Sequence, residues 1–348
     1  KQGEINPNEI LTKTDITSEV EDVSVGIKER IDNLISVMKS EDCPSVKISK
    51  DCTDPYDCPL EDDCWGFLPS SSVFDLYRGG VKCFKLLEEG VLALKDIPHE
   101  YKLSDKQGIQ HQCEQTDKVH VNKEELKLFL GKLISPIYYL DFETFMTAIP
   151  LLEGTKPYQQ IPFQWSLHLE FEKGLRHHAF LAGGKEDPRL SFLLSLKKVL
   201  GDKGTIVTYN QSFEIARLRE LGEAFPEHKD WVEGVVSRVV DLIVPFRNFS
   251  YYNPKQKGSC SLKAVLPAVI GKNLYADLKI NEGGLAMISY LEMTYGGGKD
   301  CRDDLLEYCK LDTLAMVMIL GKLGELVGMN IKFNEGGSLK MAESETHL

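Results

Sequence analysis

The run YYLDFETF, residues 138–145, places Asp141 and Glu143 two positions apart at the end of an apolar stretch. On a β-strand, positions i and i+2 face the same side, so the two carboxylates share it. Like charges side by side repel. Burying either one unpaired costs on the order of several kcal/mol. No Lys or Arg lies between positions 133 and 155, so a metal ion is the simplest compensating charge. A third acid stands in TYNQSFEIARL, where Asn210 ends a short strand and Glu214 falls in the first turn of a helix. A fourth stands in EYCKLDTLAM, where Tyr308 and Asp312 are at i and i+4 and share one helical face. Four hard carboxylate ligands and a phenol able to orient a water are the parts of a site for two Mg²⁺ or Mn²⁺ ions. Singly, each piece has a plainer reading: solvated surface acids, an N-terminal acid favoured by the helix dipole, a half-buried aromatic. The ordered set carries the argument. Asp241 is a spare acid whose place after an apolar pair suggests a supporting role.

These residues need a frame. YYLDFETF reads as a strand, and FQWSLHLEFE (163–172) and LRHHAFLAG (175–183) alternate as a hairpin around Gly174. A helix opens at Asp187–Pro188, TIVTYN is a short strand, and a further helix opens at Ser212. RVVDLIVPF is a short apolar segment, and SLKAVLPAVI, NEGGLAMISYLEMTYGG and RDDLLEYCKLDTLAMVMILGKLGELV read as helices. Upstream, residues 14–40 show one helical apolar period that Thr14 and Asp15 can cap, and 123–133 read as a short connecting helix. The expected division is 1–72, 73–134 as a helical linker, 135–333 as an α/β domain, and a polar tail at 334–348. The domain is expected to be a ribonuclease H-like mixed sheet flanked by helices, with an N-terminal helical, cysteine-containing appendage.

The 348 residues carry a net charge of −12, which argues against a broad basic nucleic-acid surface, although carboxylate ligands contribute to that number. No apolar run is long enough to span a membrane. The opening KQGEINPNEI has neither a signal pattern nor a Met, as expected of a cytoplasmic chain that is a piece of a longer one.

Nine cysteines without a secretion signal favour reduced thiols and metal ligands over disulfides. Cys43, Cys52, Cys58 and Cys64 lie in a Pro-rich, acidic loop that cannot bury enough apolar surface to hold itself. Zn²⁺ or a four-iron cluster on four thiolates would hold it. Cys83, Cys113, Cys260, Cys301 and Cys309 are scattered; Cys309 is expected to turn away from Tyr308 into the core. The histidines make no zinc spacing and receive no role.

The three acidic motifs resemble those of the DEDD 3′–5′ exonuclease superfamily, in the version whose third motif carries Tyr. The likeness covers roughly 135–330. It departs at the second motif, where Glu214 stands for the usual Asp. PYQQIPFQWSLH (157–168), GSCSLKAVLP (258–267) and CPLEDDCW (58–65) resemble a bacterial domain family of unknown function that follows a RecB-type iron–sulfur nuclease. In this light 1–72 reads as the tail of that nuclease. The resemblance implies phosphodiester hydrolysis at single-stranded DNA or RNA ends. One ion on Asp141, Glu214 and Asp312, or a subset, would activate water. A second near Asp141 and Glu143 would stabilise the leaving oxygen, roughly 3.5–4 Å from the first. Thr144, Phe145 and Asn210 would touch the terminal nucleotide, Tyr158, Gln159 or Gln160 a base, and Lys255, Lys257 or Lys263 a phosphate. The alternative is a nucleic-acid-binding or scaffold domain, catalytically weak or inert, within a larger nuclease.

Overall fold

The computed structural model describes residues 3, 6, 12–41, 44, 46–171 and 174–329. Cys43 and the tail from 334 lie outside them. The architecture is mixed α/β: a five-stranded mixed sheet flanked by helices. Its strands are β1 Ile137–Phe145, β2 Ile161–Phe171, β3 Gly174–Leu181, β4 Thr205–Thr208 and β5 Val239–Asp241, in the order β3-β2-β1-β4-β5. β2 is antiparallel to β1 and β3, while β1, β4 and β5 are mutually parallel.

Alternation along β1 splits the core in two. Tyr138, Leu140 and Phe142 pack with Trp165 and Leu167 under α1 Arg189–Val199, α2 Ser212–Ala224 and α3 Lys229–Val236. Ile137, Tyr139 and Phe145 pack with Phe163 and Leu181 under α4 Leu262–Ile270, α5 Gly283–Leu291 and α6 Arg302–Val327. Each large apolar side chain fully buried in this way contributes about 1.5–3 kcal/mol. Parity therefore assigns Asp141 and Glu143 to the face that α6 crosses.

α6 is tied to that face by a buried polar network. Thr313 Oγ1 lies 2.8 Å from both Ser166 Oγ and His168 Nδ1, and His177 Nε2 lies 2.9 Å from Ser166 Oγ. Histidines left without a role by their spacing thus fix the register of the helix that carries Asp312. Burial, and then the neighbouring His177, push His168 down to about 3; burial and Lys310 push His177 down to about 4. Both values lie below the unfolded histidine value. The unfolded chain therefore takes up more protons as pH falls, and stability fully present above about 6.5 is lost toward pH 4. The urea midpoint of the wild type should drop more than that of His168→Gln between pH 7.5 and pH 5. Equal drops would mean that the network does not keep His168 neutral.

Upstream, the period over 14–40 resolves into two helices, Thr17–Ser24 and Ile27–Met38, and neither buries a residue. They part at Gly26, whose φ of 73° a glycine adopts without strain and which halts the helical ladder. Residues 73–134 have a small core of their own around Val73, Leu86 and Leu94. They join the sheet domain through the ribbon His120–Val121 with Tyr251–Tyr252 and through Cys113 against Phe249. Among the described residues, no helix is long and apolar enough to cross a membrane.

Candidate active site

β1 carries Asp141, half-buried, and Glu143, 8% exposed, on the side facing α6. The first turn of α5 lies close by: a Cβ at Gly283 would stand 3.5 Å from Glu143 Oε2. From α6 come Tyr308, Cys309 and Asp312, all buried. Successive helical residues are about 100° apart, so these three fit the apolar arc that a packed helix buries. Cys309 consequently does not turn away from the acids. Its Sγ lies 3.5 Å from Asp141 Oδ2 and donates to it. Asp141, Glu143 and Cys309 each offer a ligand atom, all within 4.8 Å of one another.

Glu214 arrives by a different route. β4 runs parallel to β1, and α2 opens just beyond its carboxyl end, where ligands of open α/β sheets gather. Glu214 is 2% exposed, and its Oε2 has no hydrogen-bond partner. The turn before it is braced by Asp241, whose Oδ1 accepts the N–H groups of Asn210 (2.8 Å) and Ile243 (3.1 Å). This brace suits the supporting role expected of Asp241. Asn210 sits at φ 73°, with Oδ1 accepting from Ser212 Oγ and Arg247 Nη2, both at 3.2 Å.

Burial raises the proton affinity of all four acids, and at Asp141 and Glu143 the neighbouring carboxylates add to it. Burial, then the charges of Asp312, Glu143 and Glu214, hold Asp141 well above the usual carboxylate range. Burial, then Asp312, lift Glu143 to about 8 against the opposing pull of Lys263. Burial lifts Glu214 to about 8, with Asp241 adding to it. Asp312 rises only to about 6, because the hydrogen bond from Tyr275, the charge of Lys263 and the nearby Tyr308 hydroxyl offset its burial. Burial and the surrounding acids keep the Tyr308 phenol protonated.

Two members of the site escaped the motif reading. Cys309 is one. Tyr275 is the other: its Oη donates to Asp312 Oδ1 at 2.6 Å from a loop without periodic pattern. Partners of this kind orient a ligand, and their loss typically weakens metal binding about 10- to 100-fold. Tyr275→Phe should weaken Mn²⁺ binding in calorimetry by that factor, whereas an unchanged affinity would mean that the bond merely packs the loop. Lys263 is exposed at the edge of the site, with Nζ 5.4 Å from the Tyr308 ring centroid and 5.7 Å from that of Tyr275, and it donates to Asn281 O.

Other expected contacts are not brought together here. Phe145 is 2% exposed, enclosed by Phe163, Tyr290 and Tyr295, so a nucleotide cannot stack on it. The period of two that brings Asp141 and Glu143 to this face also drives Phe145 into its core. Thr144 follows at a register shift against β2 and is half-buried. Gln160 accepts from Arg217, Gln159 caps the N–H of Lys156, and Tyr158 is exposed. Lys255 and Lys257 are exposed around a short turn, and the Lys257 charge acts on Asp75 and Glu114. Cys52, Cys58 and Cys64 form no disulfide among the described residues. The Cys58 N–H donates to Cys52 O at 2.8 Å, yet the three sulfurs form no group within 4.8 Å. A metal centre in such a loop would have to gather its own ligands.

Residues 138–261 match a family described as a domain of unknown function, DUF2779. The match contains Asp141, Glu143 and Glu214 and ends before Tyr275, Tyr308 and Asp312. The chain is also similar to the uncharacterized MG366 homolog of Mycoplasma pneumoniae, 28% identical over 217 residues, covering 54% of this chain and 32% of the relative. Uncharacterized protein MG366 of Mycoplasma genitalium is 26% identical over 235 residues, covering 58% and 34%. Uncharacterized protein UU173 of Ureaplasma parvum is 26% identical over 199 residues, covering 53% and 28%. The chain thus spans about a third of the length of the curated relatives it matches. No solved structure matches it.

Proposed function

We propose that the domain is a ribonuclease H-like, DEDD-type 3′–5′ exonuclease that hydrolyses phosphodiester bonds at single-stranded DNA or RNA ends. The observation that carries this reading is Asp141 and Glu143 side by side on β1 beneath α6, with the charges of Asp312 and Glu214, from two further segments, acting on both. The element order supports it: three antiparallel strands, a helix, a strand, then helices.

The residues fit Mg²⁺ or Mn²⁺. Their donors are hard oxygens, their mutual repulsion calls for a cation, and Glu214 Oε2 is buried with nothing to bind. Bound there, two such ions would supply Lewis-acid charge to the phosphodiester and lower the pKa of an attacking water. The protein's own groups have separate tasks. Tyr308 is a neutral phenol one helical turn from Asp312, suited to orient a water rather than to bind a cation. Tyr275 holds Asp312 in a single orientation. Lys263 offers a positive charge at the edge of the site to a substrate phosphate. Glu214 reaches one methylene further than the Asp usual at its motif, and its charge still acts on Asp141 and Glu143.

The test is incubation of 5′-labelled single-stranded DNA and RNA with the protein in Mn²⁺, with and without chelator. A ladder shortening from the 3′ end, abolished by chelator, is expected. Intact strands with Mn²⁺ demonstrably bound would favour a nucleic-acid-binding or scaffold role instead. Association with an upstream RecB-type nuclease domain belongs to the same proposal.

A further inference from the structure

We propose that Cys309 is a ligand in this site, so that Asp141, Glu143 and Cys309 form a mixed oxygen–sulfur set preferring thiophilic divalent cations such as Zn²⁺ over Mg²⁺. The inference rests on the reading that the acids hold a cation, and not on hydrolysis. The geometry carries it. Zinc bonds of about 2.0–2.2 Å to a carboxylate oxygen and about 2.3 Å to a thiolate, meeting at a tetrahedral angle, span about 3.5 Å. Cys309 Sγ and Asp141 Oδ2 are 3.5 Å apart with no ion between them. Glu143 brings the third donor within 4.8 Å of both, a small closure for one side chain. The second observation is Glu214, 2% exposed, whose buried Oε2 has no hydrogen-bond partner and is available as a further oxygen donor. Its charge acts on both Asp141 and Glu143. Binding replaces the S–H bond by a sulfur–metal bond and releases the proton to solvent. Magnesium gains little from sulfur, whereas zinc and cadmium gain strongly.

The protein tested is the full chain with Cys43, Cys52, Cys58 and Cys64 changed to Ser, so that the loop thiols cannot compete. Cd²⁺ should produce a sulfur-to-cadmium charge-transfer band in the ultraviolet. Cys309→Ser should lose the band and bind Cd²⁺ and Zn²⁺ about tenfold or more weaker, with Mg²⁺ affinity changed less than about twofold. The same band and the same Cd²⁺ affinity in Cys309→Ser would overturn the proposal. Cys309 is fully buried, so its Ser variant could fail to fold. Zinc-edge X-ray absorption on the parent then decides. One sulfur at about 2.3 Å among lighter ligands is expected, and an oxygen-only shell overturns the assignment. An oxygen-only shell together with strand shortening in Mg²⁺ removes this inference alone. A sulfur-containing shell without strand shortening removes hydrolysis alone.

Discussion

Asp141→Asn, freed of metal at pH 8, should melt above the wild type and should no longer respond to Mn²⁺. The direction follows from the site's proton affinities. Asp141 lies well above the usual carboxylate range, Glu143 and Glu214 near 8, and Asp312 near 6. All are raised above their unfolded values. The metal-free fold therefore holds protons that the unfolded chain releases, and it loses stability as pH rises from about 4.5 to about 8. Asn is neutral in both states, so it removes the penalty of a carboxyl that the fold holds protonated and the unfolded chain ionises. One pKa unit corresponds to about 1.4 kcal/mol, so a gain of about 1 kcal/mol or more is expected, roughly 2–4 °C in Tm for a domain of this size. Near pH 4 the difference should vanish. Mn²⁺ at about 100 times its Kd should stabilise the wild type by about 2.7 kcal/mol and leave the variant almost unmoved. Strand hydrolysis should fall by more than about 10²-fold, since loss of even an indirect metal partner typically costs up to that much. Calorimetric melts with and without Mn²⁺ at pH 4, 6 and 8 make the test. Equal Mn²⁺ shifts in both proteins would show that the ion binds elsewhere.

The second large effect separates two residues one helical turn apart on α6. Asp312→Asn should lose both Mn²⁺ affinity and rate, because its carboxylate is proposed as a ligand. Tyr308→Phe should keep Mn²⁺ affinity within about threefold while its rate falls about 10²- to 10⁴-fold, the range for a positioned proton-handling group. The phenol is 4% exposed, and Phe fills nearly the same volume, so the fold should tolerate the change. Asp312 keeps its bond from Tyr275 in this variant, which protects the ligand while the water-orienting hydroxyl is gone. Measuring kcat and Mn²⁺ affinity on the same two proteins decides the assignment. A fully active Tyr308→Phe would mean that Tyr308 only packs.

The elements legible in the sequence are those whose burial follows hydropathy. Strands β1 to β3 and helix α6 fall where alternation and the 3.6-residue period put them. The helix Asp105–Thr116 is different. It buries Gln107, Gln110 and His111, and the two glutamines bond the backbone of Asp75 and Tyr77. A helix with a polar buried face leaves no apolar period, and only the capping box of Ser104 with Gln107 marked its start. The region from 14 to 40 erred in the opposite direction: the period ran unbroken through Gly26, whose backbone conformation is silent in a hydropathy pattern.

The site divides along the same line. Asp141 with Glu143, and Tyr308 with Asp312, were legible because strand and helix geometry alone set the faces on which they stand. Glu214 was legible as an acid in a helix's first turn, but its buried, unpartnered oxygen was not. That depends on α2 opening beside the end of β1. Cys309 and Tyr275 became members of the site only through the crossing of α6 over the sheet and the return of a loop onto Asp312. Phe145 was lost to the core by the same packing. Local backbone geometry determines which way a side chain points, and sequence spacing encodes that directly. Which side chain from a distant segment meets it is decided by how helices and sheet pack, over contacts such as Tyr275–Asp312 and Cys309–Asp141, 37 and 168 positions apart, in no fixed period.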